Sequence, residues 1–159
     1  HECLLIQDDD LELPRASLAA LHAAWQADPE VIHGVFGRVP KPDGSYARNV
    51  QGDVEVPVVL TRVLLTHRLN AARFFEVAPH FAEIQSNGRP AGNGEDILFS
   101  YTARRDSGRL NRVHSVAVSE LPAPHSIHGR NWQAHVNHRT RLLRACEGWL
   151  SSERSQAYG

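Results

Sequence analysis

The sequence predicts a mixed α/β layer architecture in a single domain. Three observations carry that prediction. Short apolar runs that stop at acidic or turn residues read as strands, and stretches with apolar residues at helical spacing lie between them. The chain has 159 residues with 42% hydrophobic content, enough for one core. Charge is balanced, with 17 basic against 18 acidic residues and a formal net charge of -1. That argues against bulk nucleic-acid binding, which needs a basic surplus. No apolar run reaches the roughly 18–20 residues that span a bilayer. Cys3 and Cys146 are too few for a disulfide framework and lack CxxC spacing. Lys41 is the only lysine, so positive charge is almost wholly arginine, a bidentate fork for anions. The chain opens at His1, contains no methionine and carries no signal-peptide pattern, which reads as an excised domain or processed fragment.

Residues 2–7 (ECLLIQ) form an apolar run bounded by Asp8, Asp9 and Asp10 and read as a buried strand. Residues 14–27 read as a helix, with Leu18, Leu21, Ala24 and Trp25 at helical spacing and Asp28-Pro29 as its stop. Residues 31–39 are a second strand. Residues 40–52 are rich in turn formers and read as a loop or hairpin. Residues 54–60 are a third strand, with Pro57 placing it at an edge or bulge. Residues 61–75 read as a helix through Val63, Leu64, Leu65, Leu69, Ala72 and Phe75, and residues 81–84 extend a helix toward a Gly/Pro loop at 85–94. Residues 95–102 start acidic, continue apolar and read as a helix. Residues 113–118 alternate and read as a strand. Residues 122–137 read as a His-rich loop, 138–149 as the last helix, and 151–159 as a frayed tail beyond a domain spanning 1–150.

Four groups of residues could carry chemistry. In an extended segment Asp8 and Asp10 point to one side and Asp9 to the other. Two convergent carboxylates are hard oxygen ligands for Mg²⁺ or Mn²⁺, and they follow a strand, where α/β sheets place ligands. The competing reading is a solvated acidic turn. Asn93-Gly94-Glu95-Asp96 precedes an apolar helix. Its carboxylates suit the helix dipole, or serve a sugar carbon and a substrate hydroxyl. Arg139, Arg141 and Arg144 near the last helix either lie on a solvated face or clamp a diphosphate. His125 with His128, and His135 with His138, repeat an HxxH spacing; structural zinc usually adds cysteine, and neither cysteine is near. GxSxG, P-loop and GxGxxG patterns are absent from the sequence.

The order of these motifs resembles the exostosin-type glycosyltransferases, family 64. LLIQDDDLELPRASLAALHAAWQADPEVIHGVFGRV is similar to that family's strand, DxD motif, helix and next strand. VPVVLTRVLLTHRLNAARF resembles its "MVLT" strand and following helix. GNGEDILFSY resembles its Asn-x-(Glu/Asp)-Asp-Ile segment, and Trp132 with HRTRLLRAC its late Trp, His and Arg-Ser/Thr helix. The HRTRLLRAC segment lacks the family's cysteine at its expected place. The resemblance runs from about residue 3 to residue 150.

The resemblance implies a GT-A-type α/β fold, a mixed sheet flanked by helices, and a Mn²⁺ or Mg²⁺ cofactor. It implies a UDP-sugar donor and transfer, with retention, of an N-acetylhexosamine or related sugar to a glycan or other hydroxyl acceptor. Asp10 would be the direct metal ligand, with Asp8 reaching the ribose or donor sugar and Asp9 completing the donor site. Asp96 matches the catalytic aspartate, with Glu95 beside it, and Asn93 lines the acceptor side. The late arginine is Arg139 or Arg141. Arg139 is preferred, because Leu142, Leu143, Cys146 and Leu150 then fall at +3, +4, +7 and +11 on one helix face. A GT-A domain normally carries a nucleotide-binding half before its DxD, and only seven residues precede it here. The N-terminal half is therefore expected in a parent protein or a partner, and the first strand is expected at an exposed sheet edge. The secretory pathway, behind a membrane anchor, is the compartment the family suggests. The alternatives are a non-catalytic sugar- or nucleotide-binding module derived from such an enzyme, and a His-rich metal-binding domain.

Overall fold

The computed structural model describes residues 2–46, 48–81, 85–86, 89–90, 94–121 and 132–156. In chain order the elements are β1 (Cys3–Gln7), β2 (Leu11–Glu12), α1 (Arg15–Ala27), β3 (His33–Gly34), β4 (Gly37–Val39), β5 (Arg48–Val50), β6 (Val54–Val56), β7 (Val58–Val59), β8 (Val63–His67) and α2 (Arg68–Val77). A 3₁₀ turn at Ala78–His80 follows, then β9 (Gln85–Ser86), β10 (Arg89–Pro90), α3 (Glu95–Ser107), β11 (Asn111–Val113), β12 (Ser119–Glu120) and α4 (Trp132–Gln156).

The main sheet has the order β1-β8-β3-β11-β6. It is mixed: β3 and β11 run parallel, and the other neighbours are antiparallel. Alternation on β8 sorts the two faces. Val63 and Leu65 join Leu21 and Trp25 of α1 on one side, and Leu64 joins Phe99 and Ala103 of α3, with Ala71 and Phe74 of α2, on the other. The sheet therefore lies between α1 and the α2/α3 layer, and α4 packs outside α3 through Leu142, Leu143 and Cys146. Each large apolar side chain so buried contributes about 1.5–3 kcal/mol.

The α/β class matches the expectation, and several elements correct it. Val63–His67 is a strand, where residues 61–75 read as one helix. Val63, Leu64, Leu65 and Thr66 are all buried, so the segment is covered on both faces; a strand buried on both faces loses the alternation that separates it from a buried helix. Residues 31–39 split into β3 in the main sheet and β4 in a three-stranded sheet with β5 and β7. Pro57 breaks the next run the same way, leaving β6 and β7 in different sheets. The β4–β5 pairing, in contrast, bears out the hairpin expected within residues 40–52. Phe81 follows the 3₁₀ turn in extended conformation and is buried in the core instead of continuing a helix; residues 82–84 lie outside the described residues. Strand β11 ends at Val113, and residues 114–118 are irregular. Helix α4 begins at Trp132, inside the expected loop, and continues through Gln156, where a tail was expected.

Helix α3 explains how a carboxylate comes to lie in the interior. Every residue from Asp96 to Ala103 is buried, because the sheet covers one side and α4 the other. Its polar members are paired inside: Ser100 Oγ meets both N and O of Val59, and Thr102 Oγ1 donates to Leu98 O.

Candidate active site

Gly94 sets the start of α3. Its φ is +139°, and a Cβ there would lie 2.6 Å from Leu142 Cδ2 of α4. Only glycine allows this approach, and the approach brings the first turn of α3 against the Arg139–Leu142 turn of α4. Asp96 Oδ1 accepts from Arg139 Nη2 at 2.6 Å, and Oδ2 from Nη1 at 3.3 Å. Asp96 is 2% exposed and Arg139 7%. The Ile97 backbone N–H also donates to Asp96 Oδ1, at 2.9 Å. Arg139 Nη1 donates to the Tyr46 hydroxyl at 3.1 Å, and the guanidinium lies 4.8 Å from the centre of that ring. The Tyr46 backbone N–H in turn donates to Thr140 Oγ1.

Burial pushes Asp96 up to about 6, although Arg139 pulls the other way. The pair is ionised at neutral pH and loses the carboxylate charge below that value. The Tyr46 phenol is pushed up to about 12, first by burial and then by the Asp96 charge. Arg38 of β4 opposes both shifts, so a second guanidinium faces this group. Arg139 Nε is buried and has no hydrogen-bond partner among the described residues.

The acidic triad follows β1 at the sheet edge. Asp8 faces Arg62, with Nε to Oδ2 3.7 Å, and its carboxyl is raised chiefly by burial and then by Asp10. Glu95 adds the smallest of the upward electrostatic pushes on it. Asp10 Oδ1 is buried without a hydrogen-bond partner among the described residues, and Asp9 is exposed. No group of three or more His, Cys, Asp or Glu side chains converges on a metal position among the described residues.

The fold thus joins Asp96 to Arg139, while exposed Glu95 accepts from the Gly94 backbone N–H. Arg141 and Arg144 lie on the exposed side of α4, away from this pair, as the +3/+4/+7 pattern counted from Arg139 requires. Asn93, His125 and His128 lie outside the described residues. His135 falls within α4 instead of the expected loop, and His138 lies in α4 as expected. Tyr46 and Arg38 were missed by sequence reasoning. Tyr46 sits in a turn-rich hairpin with no periodicity, and the only available signal for Arg38 was its place at the end of the VFGR run. No helix among the described residues is long and apolar enough to cross a membrane. Compared with known proteins, the sequence matches no family model and no curated protein.

Proposed function

We propose that the chain is a metal-dependent retaining glycosyltransferase of the exostosin-like, GT-A type. It would move a sugar, N-acetylhexosamine by the resemblance, from a UDP-sugar donor to a glycan or other hydroxyl acceptor. The observation that carries this reading is the buried, two-contact Asp96–Arg139 pair at the start of α3. The two partners are 43 residues apart in sequence and meet in the interior. A buried ion pair is weak as a stabilising device, so its presence supports a role other than packing.

Asp8 and Asp10 are the residues that would hold Mn²⁺ or Mg²⁺. Such cations need only one or two carboxylates when waters and phosphates complete the shell, and the orphaned Asp10 Oδ1 suits that role. When bound, the cation neutralises charge on the departing diphosphate. Arg139 and the Arg38 guanidinium add positive potential on the protein side. Asp96, ionised above about pH 6, stabilises positive charge at the anomeric carbon or holds the acceptor hydroxyl. One observation favours the second reading, a non-catalytic nucleotide-sugar module: both Asp96 oxygens are already engaged by Arg139.

Isothermal titration with UDP, with and without Mn²⁺, tests the reading on this chain and on any longer parent. Binding is expected to need Mn²⁺ and to vanish in Asp10→Ala. Asp96→Asn is expected to spare UDP binding and lose transfer. Transfer retained in Asp96→Asn removes Asp96 from catalysis. Binding without transfer in the unaltered protein selects the module, and no UDP binding by either sample removes both readings.

A further inference from the structure

His33 and His114 form a contact that the proposed function leaves unused. His33 is 1% exposed on β3. Its Nε2 lies 2.8 Å from the Asp28 carbonyl, and its Nδ1 lies 2.9 Å from His114 Nε2. A carbonyl only accepts, so His33 Nε2 carries a proton and Nδ1 is the acceptor; His114 Nε2 therefore donates to it. His114 Nδ1 then faces Asp53, 3.7 Å away, and Asp53 Oδ1 also accepts from the Ser115 backbone N–H at 3.2 Å. The other charged groups near the pair are Arg112, which pairs with Glu55, and the Asp28 carboxylate, which is held by Arg109 with Glu30 beside it.

His114 begins a strap, residues 114–121, that leads to the acidic triad. His114 N–H donates to Gly34 O, and Val116 N–H to His114 O. At the far end β12 pairs with β2, the two-residue strand directly after Asp10. Leu121 N–H donates to Asp10 O at 2.7 Å, and Glu120 binds Arg62, the arginine that also faces Asp8. We propose that the His33–His114 contact is a pH-sensitive pin for this strap, and that acid releases the strap from the triad.

The proton arithmetic gives the pin its direction. One added proton is accommodated, because it settles on His114 Nδ1 facing Asp53. A second leaves N–H groups on both sides of the 2.9 Å contact, and the rings must part. Burial lowers both imidazoles from their usual 6.5, with Asp53 pulling His114 back up, so the closed pin belongs to neutral pH. The pin follows from hydrogen-bond geometry; its consequence for cation binding rests on the proposed function.

Amide hydrogen exchange of the full chain at pH 7.5 and pH 5, corrected for intrinsic rates, tests the pin at Val116, Ser119, Glu120 and Leu121. Acid is expected to cause a loss of protection at these amides, since protonating the pair favours the open strap. In His114→Gln the amide can donate to His33 Nδ1 or turn its oxygen toward protonated His33, so the acid effect should disappear. Equal acid loosening in His114→Gln, or none in the unaltered chain, overturns the proposal. Imidazole nitrogen titration by NMR reads the same pair without any substitution. Two separated steps support the pin, and simultaneous uptake by both rings sinks it. Mn²⁺ titration at both pH values separates the two claims: acid loosening with no Mn²⁺ binding at either pH upholds the pin and removes the transferase reading.

Discussion

Removing the Arg139 charge would strand a carboxylate that is 2% exposed. Arg139→Met keeps much of the side-chain volume, so its cost measures the lost counter-charge, about 3–5 kcal/mol for breaking a buried pair from one side. Asp96→Asn combined with Arg139→Met should recover part of that loss, because neither charge then remains. The sign with pH follows from the raised Asp96 pKa. Its folded value of about 6 exceeds its usual 3.8, so the folded state holds the extra proton between those values. This group's contribution to stability therefore falls as pH rises through that window. At pH 5 Asp96 is largely neutral in the unaltered protein, and the Arg139→Met deficit should shrink there relative to pH 7.5. Urea midpoints of the unaltered protein and the two variants at both pH values check this; an equal deficit at both would mean the pair does not titrate. The histidine pair runs the other way: its folded pKa values are lowered, so its contribution is complete above about 6.5 and fades as pH falls.

Two glycines join elements that must touch, and they separate stability from function. A Cβ at Gly34 on β3 would run into Val59 Cγ1 and lie 2.9 Å from Val63 O. Gly34→Ala overpacks the sheet and should cost about 1–3 kcal/mol. Gly94→Ala adds strain at positive φ and pushes on Leu142, one helical turn from Arg139. Its melting temperature should fall as well, but Mn²⁺-dependent UDP binding or transfer should suffer beyond the stability loss, whereas Gly34→Ala should bind normally when folded. Parallel thermal melts and titrations distinguish the two; equal functional loss would mean that the α3–α4 contact has no special role. The sequence carried the late helix well: Arg139, Leu142, Leu143 and Cys146 recur at helical spacing and are all buried. The Glu95-Asp96 helix start was legible for the same reason. The β8 strand was not, because residues buried on both faces lose the alternation that marks a strand. His33 and Asn111 were also hidden. Asn111 accepts from Ile32 N–H and donates to Ser100 O and Pro57 O, a set of partners drawn from three distant stretches. Local pattern has no access to such partners.

Among the described residues β1 pairs on one side only, with β8, so the acidic triad hangs from the edge of the main sheet. That edge lacks proline and charge, two common protections: Cys3–Gln7 contains neither, and Leu5 is 44% exposed. An unpaired apolar strand edge is a template for another strand, which predicts association that grows with protein concentration. Leu5→Lys places a charge on the exposed position, while its register partner on the same face, Leu65, stays 2% exposed. The substitution should lower light scattering at high concentration and leave the melting temperature nearly unchanged, within the about 0.5 kcal/mol typical of surface positions. Its effect on UDP binding should also be small, because Leu5 precedes the triad and points to the α1 side with Cys3 and Leu65. A melting loss of the size seen for a core truncation would instead mean that Leu5 is held in the core in solution, and the open edge would have to be covered by other parts of the protein.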